Sequence, residues 1–407
     1  MPRRFVLALL GVLVAGGLAW LALPWLQARL GGSAPPLEIH ENTEERGDEF
    51  AERIAAIEAR YPSVPIRAFP DTTLKRARLA REVLERYYIS LRNGQYPYDP
   101  VRNFRRQVSQ TERYPWPEHP AGAWVLRTNS EGLRMDAERG PGPYLAIAGD
   151  SHMEGALANE EAVPGLMAAA LADERPELQV VNVSCGGYSF HQYLGALEFL
   201  CGDEAGALVD PDADVPVEAY VMVVYGGNDF EEVLRLAHHF HGTQRPEGWG
   251  AENERLTPWR KSHPAALGQA LNSIVYFRNA PSDLKFALEE SLAVVEEVQR
   301  HASRRGFRFA VAYLPSALEV DPKRYVAEFA EPIAGLGITK DEVRGVDELA
   351  GAFLAGVRSL GVETIDLRPT LTGGGPYYWH YDLHLNLEGS ARVAEQLLDW
   401  FRSAPQE

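Results

Sequence analysis

From Tyr144 onward, short apolar runs alternate with longer amphipathic ones, and this alternation leaves few folds open. Residues 144–148, 180–183, 220–224, 309–313 and 363–367 read as buried strands. Residues 164–173, 190–200, 283–304, 346–360 and 387–402 carry apolar side chains at helical spacing. Strands alternating with helices predict an α/β fold with a parallel sheet covered on both faces. Gly306, Gly361 and Gly389 stand at element boundaries, as end signals should. Residues 229–282 fit the pattern least and read as a long, partly helical insertion.

The start of the chain follows a different rule. Residues 5–26 are apolar and uncharged, and 22 residues at about 1.5 Å each span about 33 Å, enough for a bilayer core. Arg3 and Arg4 precede the run; beyond Arg29 come Glu38, Glu41, Glu44, Glu45, Asp48 and Glu49. The positive-inside rule then leaves the N-terminus in the cytoplasm and exports the body. A cleaved signal peptide has a shorter apolar core, about 7–15 residues, and a small-residue exit, whereas Trp20, Pro24 and Trp25 fill this one. The expectation is an uncleaved signal anchor over residues 1–30, a single pass through the inner membrane, and a periplasmic or extracytoplasmic body. Residues 31–125 read as a spacer, with helices expected near 42–60 and 73–91 and irregular chain over 92–120. Residues 126–407 read as the main domain.

Charge and cysteine usage close off other classes. Lys+Arg is 40 against Asp+Glu 57, a formal net charge of −17, which offers nucleic acid no basic face. Two cysteines make neither a disulfide scaffold nor a four-thiolate zinc site. A helix over 188–200 would hold Cys185 and Cys201 near opposite ends, so both are expected as free thiols. His238, His239 and His241 have no Asp, Glu or Cys beside them at ligand spacing, and read as a solvated cluster in a loop rather than a metal site.

In open parallel sheets the working residues lie beyond the carboxyl ends of the strands. The first predicted strand is followed by Gly149-Asp150-Ser151-His152 and the second by Ser184-Cys185-Gly186-Gly187-Tyr188. The third is followed by Gly226-Gly227-Asn228-Asp229 and the last, past a Gly-rich loop, by Tyr381-Asp382-Leu383-His384-Leu385-Asn386. A serine hydroxyl needs a base to act as a nucleophile. His384 would take its proton and Asp382 would orient the imidazole and stabilise its cation. A tetrahedral intermediate needs fixed N–H donors, and the amides of Ser151 and Gly187 and the Asn228 carboxamide are the candidates. Asp150 is expected to bond backbone amides of the turn. His380 is the nearest rival base. His152, Tyr188, Trp379 and Tyr381 are the candidates for touching substrate. Tyr377, Tyr378, Trp379 and Tyr381 suit sugar rings and plain loop packing equally.

These four blocks, in this order, resemble the SGNH (GDSL-type) hydrolase superfamily. The resemblance covers about residues 124–404 and includes the approach segment Arg127-Thr128-Asn129-Ser130-Glu131-Gly132-Leu133-Arg134. It implies a flavodoxin-like α/β/α sandwich and no metal or organic cofactor. Two positions depart from the pattern. His152 replaces the usual Leu after the serine. Asp-x-His replaces Asp-x-x-His, a spacing similar to that of the alginate-type polysaccharide O-acetyltransferase branch, whose members are exported and membrane-tethered.

The sequence therefore predicts a serine esterase acting on O-linked acyl groups of a small-molecule or carbohydrate substrate. One alternative is an O-acetyltransferase acting on an envelope or exported polysaccharide, which would need a membrane partner to deliver its acyl group. The other is a catalytically silent glycan-binding module.

Overall fold

Five parallel strands form the central sheet: β1 (Tyr144–Ala148), β2 (Gln179–Asn182), β3 (Val217–Tyr225), β4 (Arg308–Leu314) and β5 (Glu363–Asp366). Their spatial order is β2-β1-β3-β4-β5, the flavodoxin-like order. The structure, a computed structural model, describes residues 64–65, 74–202, 216–246, 249–373 and 375–403. All of them lie in one unit, Arg46–Glu407. The predicted anchor and the predicted helix near 42–60 fall outside the described residues. Among the described residues no helix is long and apolar enough to cross a membrane.

β3 is the longest strand, and its run Val-Glu-Ala-Tyr-Val-Met-Val-Val-Tyr is almost wholly buried. That is the composition of a central strand covered on both faces. It pairs with β1 in the register Leu145↔Ala219 to Ala148↔Met222 and with β4 from Arg308↔Ala219 to Leu314↔Tyr225. The carboxyl ends of β1 and β3 thus come side by side, and the residues that follow them share one rim.

The main helices are α1 (Ser151–Glu154), α2 (Val163–Leu171), α3 (Phe190–Cys201), α4 (Asp229–His241), α5 (Pro281–Arg305), α6 (Lys340–Ser359) and α7 (Leu387–Arg402). α2 packs with α7, while α3, α4 and α5 pack together and α5 meets α6. Right-handed crossovers put the β1–β2 connection on one face and the β3–β4–β5 connections on the other. Each of the five predicted strands and five predicted helices overlaps an observed one. Cys185 and Cys201 are free and buried, with Cys201 ending α3.

Three expectations need correction. The helix expected over 73–91 is broken into a short strand (Ala77–Arg78) and two single turns (Arg81–Leu84 and Ile89–Arg92). Its apolar residues act as separate anchors: the Tyr88 ring packs 5.0 Å from Phe104, and its hydroxyl accepts from Gln192 Nε2 at 2.6 Å. Within and beyond the predicted irregular stretch, Thr111–Pro115 pairs antiparallel with Ala123–Arg127. Pro115, Pro117 and Pro120 hide that hairpin from a periodicity search.

The histidine cluster is not a solvated loop. His238, His239 and His241 form the last turn of α4, with His238 and His239 buried. His238 Nε2 meets Asp283 Oδ2 at 3.1 Å, His241 Nε2 meets Glu290 Oε2 at 3.0 Å, and the Tyr87 hydroxyl meets His239 Nδ1 at 3.0 Å. The acids lie on α5, 45 and 49 residues further on, so no local spacing reveals them.

Candidate active site

β1 delivers the serine. The strand ends at Ala148, the chain turns through Gly149 and Asp150, and Ser151 opens α1. Asp150 caps that helix, its Oδ1 accepting the His152 amide at 2.9 Å. Arg134 holds the other end of the turn, donating to the carbonyls of Glu154, Gly155 and Leu157. Both ends of the nucleophile turn are therefore fixed by side chains.

The loop after β5 brings His384 and Asp382 to the serine. Ser151 Oγ lies 2.8 Å from His384 Nε2, and His384 Nδ1 lies 2.6 Å from Asp382 Oδ2. The intervening Leu383 has φ +62° and is buried. A left-handed backbone is uncommon for a non-glycine residue and is stored where surrounding structure enforces it. Here the Leu383 amide donates to the Trp379 carbonyl at 3.1 Å, and the Trp379 amide donates to the His384 carbonyl at 2.8 Å. The tight turn lets one carboxylate serve both groups of His384, since Asp382 Oδ1 also accepts the His384 amide at 3.1 Å. This is how an Asp-x-His spacing closes a Ser–His–Asp chain.

Electrostatics sort the buried groups. Burial by itself would lower His384, but Asp382, Asp150 and Glu154 outweigh it, and the imidazole sits above its ordinary value. Burial also pushes Asp150 up, to about 6. His152 is driven well below the ordinary histidine value by burial and by His384. It is a neutral ring stacked on Tyr225 at 3.9 Å, with Nε2 bonded to Gln269 Oε1 at 3.1 Å.

The candidate donors follow β1, β2 and β3. The Ser151 amide stands at the start of α1. Gly187 is exposed with φ +80°, and the Tyr188 amide donates back to the Cys185 carbonyl at 3.0 Å. That fits a type II turn, in which only glycine sits comfortably at the third position. Asn228 precedes α4, yet its side chain makes no capping bond, and its Oδ1 is buried without a partner. The donor that a developing oxyanion would need is the other end of that carboxamide, Nδ2.

Of the four residues expected to touch substrate, only Tyr381 is open, at 65% exposure. Tyr188 is buried, its hydroxyl donating to the Phe104 carbonyl at 2.5 Å. Trp379 is buried, its indole donating to the Ala156 carbonyl at 3.3 Å. His380, the rival base, faces Glu328, with Nδ1 to Oε1 at 2.6 Å.

Three further residues frame the site and lie outside the sequence motifs. Glu118, in the hairpin turn, accepts the amides of His380 at 2.7 Å and Tyr381 at 2.6 Å. Trp116 sets its ring 5.3 Å from Tyr381 at 87°. Arg106 pairs with Glu154 of α1. The carboxylate three residues after the serine, which the sequence analysis did not single out, is the one local signal for such a partner. Among the described residues no three His, Cys, Asp or Glu side chains group as a metal ion needs. A cavity of about 240 Å³ lies behind the Gly226-Gly227 turn, lined by Phe230, Ile274 and Leu349 among others, but neither Ser151 nor His384 borders it.

No protein-family model matches the chain, and no curated protein matches it in sequence. It is similar in structure to an α/β hydrolase from the metagenome of Lake Arreo, Spain, at 14% identity and TM-score 0.36, over 63% of this chain and 94% of that one. It is similar to the acetyl xylan esterase AlAXEase at 14% identity and TM-score 0.35, over 64% of this chain and 100% of that one. It is also similar to a catalytic mutant of an acetylxylan esterase from Geobacillus stearothermophilus, at 11% identity and TM-score 0.36, over 65% and 95% of the two chains. Likeness at these scores does not carry function across.

Proposed function

We propose that this chain is a serine esterase of the SGNH type that hydrolyses O-linked acyl groups through an acyl-enzyme on Ser151. The observation that supports it most is the unbroken chain from Ser151 Oγ to His384 Nε2 at 2.8 Å and from His384 Nδ1 to Asp382 Oδ2 at 2.6 Å. In the first half-reaction Ser151 Oγ attacks the acyl carbon as its proton passes to His384 Nε2. The carbonyl oxygen takes the charge against the amides of Ser151 and Gly187 and the Asn228 carboxamide. The intermediate collapses, the C–O bond to the alcohol breaks, and His384 returns the proton to the leaving oxygen. Water then repeats the sequence on the acyl-enzyme and frees Ser151.

A sugar hydroxyl in place of that water would make the enzyme a transferase. The perpendicular Trp116 and Tyr381 rings beside the acid–base loop favour a carbohydrate as the alcohol in either case. The uncharged run over residues 5–26 behind Arg3 and Arg4 supports an inner-membrane tether with the site outside the cytoplasm.

A serine-directed phosphonate tests the reading. The full chain should label on Ser151, hydrolyse p-nitrophenyl acetate, and lose both properties in Ser151→Ala while the fold persists. A folded chain that neither labels nor turns over points to a glycan-binding module. Acyl transfer to added sugar at the expense of hydrolysis points to a transferase.

A further inference from the structure

The nucleophile turn and the glycine turn are joined by one carboxylate. Glu154, the last residue of α1, accepts the Gly186 amide on Oε2 at 3.1 Å. Gly186 is the second residue of the turn that carries Gly187, and it is boxed in. A Cβ there would lie 2.8 Å from the Tyr96 hydroxyl, 3.1 Å from Glu154 Oε2 and 3.7 Å from Ser151 Cβ. The serine and the proposed oxyanion donor are thus neighbours across a single Glu154 contact.

Glu154 is held in turn from outside the sheet. Arg106 Nε and Nη2 bond Glu154 Oε1 and Oε2 at 2.5 and 2.7 Å, a two-pronged pairing that fixes the plane of the carboxylate. The side chains are 14% and 5% exposed, so solvent screens the pair weakly. The Tyr96 ring lies under the guanidinium at 4.9 Å. A guanidinium fork matches this geometry and an ammonium does not.

We infer that Arg106 is a positioning residue for acyl transfer: through Glu154 it sets the Gly187 amide against the tetrahedral oxygen forming at Ser151. This rests on the esterase reading. Arg106 touches no reacting atom. Its effect passes through the plane of the Glu154 carboxylate, which fixes the Gly186 amide and so the peptide that follows. Residues 74–127 then complete the site from outside the sheet.

The test is Arg106→Lys in the full chain, which keeps the charge and removes the fork. Expected is a fall in kcat for p-nitrophenyl acetate of about 10- to 100-fold, with KM within about twofold, short of the about 10²–10³-fold cost of a whole oxyanion donor. The Ser151 phosphonylation rate should fall alongside, in a variant shown to be folded at the assay temperature. A folded Lys variant whose kcat stays within about twofold of the parent overturns the inference, since a merely structural ion pair predicts that result. If the Lys variant does not fold, the double variant Arg106→Met/Glu154→Gln, which removes both members of the pair together, carries the same expectation. Parental kcat in the double variant also overturns it. A parent chain that neither labels nor turns over overturns the esterase reading, and this inference with it. A reactive parent with unchanged variants overturns this inference alone.

Discussion

The imidazole rings of His152 and His384 lie 4.6 Å apart, centre to centre, and are pushed in opposite directions. His384 has Asp382 to stabilise its cation, whereas His152 has only Gln269 and a buried surround. Burial and His384 disfavour a proton on His152, while Asp382 favours one on His384. A neutral neighbour adds no repulsion to the imidazolium that acyl transfer requires.

The pH profile should report that arrangement. In the proposed mechanism the active form carries neutral His384, whose proton affinity is raised above the ordinary value of 6.5. kcat/KM should therefore fall as pH drops through a midpoint above 6.5. Asp382→Asn removes the main raising partner, so the midpoint should move to lower pH while kcat drops by up to about 10⁴-fold. A pH–rate series on both proteins checks this. An unmoved midpoint would mean that Asp382 does not set the base.

Leu383 gives a sharper test of the turn. Leu383→Val places a β-branched residue at a left-handed position, at a cost of about 1–3 kcal/mol of local strain. Leu383→Gly removes a buried side chain but suits the backbone. The glycine variant should be less stable yet retain more kcat than the valine variant. Equal losses of kcat in the two would sink the idea that this φ positions Asp382 and His384.

Arg134 should matter to stability more than to chemistry. Its removal strands the carbonyls of Glu154, Gly155 and Leu157 in a buried setting. Arg134→Met should lower unfolding free energy by about 3–5 kcal/mol, read from the urea midpoint. A loss under about 1 kcal/mol would mean that water replaces the guanidinium there.

The Trp116–Tyr381 corner predicts a preference among substrates. Tyr381→Ala should raise KM for acetylated oligosaccharides by about 2- to 10-fold, the worth of one aromatic face, and leave p-nitrophenyl acetate nearly unaffected. Parallel KM measurements check it. Equal effects on both substrates would place the ring in the loop's scaffold.

The sheet and the rim were legible because both leave local marks. Apolar runs 144–148 and 220–224 announce buried strands, and the serine, glycine, asparagine and histidine follow strand ends in order. The Asp-x-His spacing was legible as letters only. What makes it work is the conformation of Leu383, which the Trp379 contacts enforce and no propensity predicts. The frame around the site left no mark. Arg106 finds Glu154 across 48 residues, and Glu118 finds His380 across 262. The His238–Asp283 pairing failed to show for the same reason. Partners fixed by packing carry no spacing rule, and an aromatic such as Tyr188 looks the same whether it faces a substrate or a carbonyl.

The Glu118 contact also bears on how the protein is made. Synthesis runs from the N-terminus, and domains tend to fold as they emerge. Residues 74–127 are made early, yet their seats lie on the glycine turn and on a loop whose His380 follows Glu118 by 262 residues. Contacts of such sequence separation form late and slowly. In the proposed mechanism Ser151 lacks its base until His384 has been made, and the loop bearing His384 lacks its brace until it docks on Glu118. The proposed activity therefore waits on a loop made long after the serine.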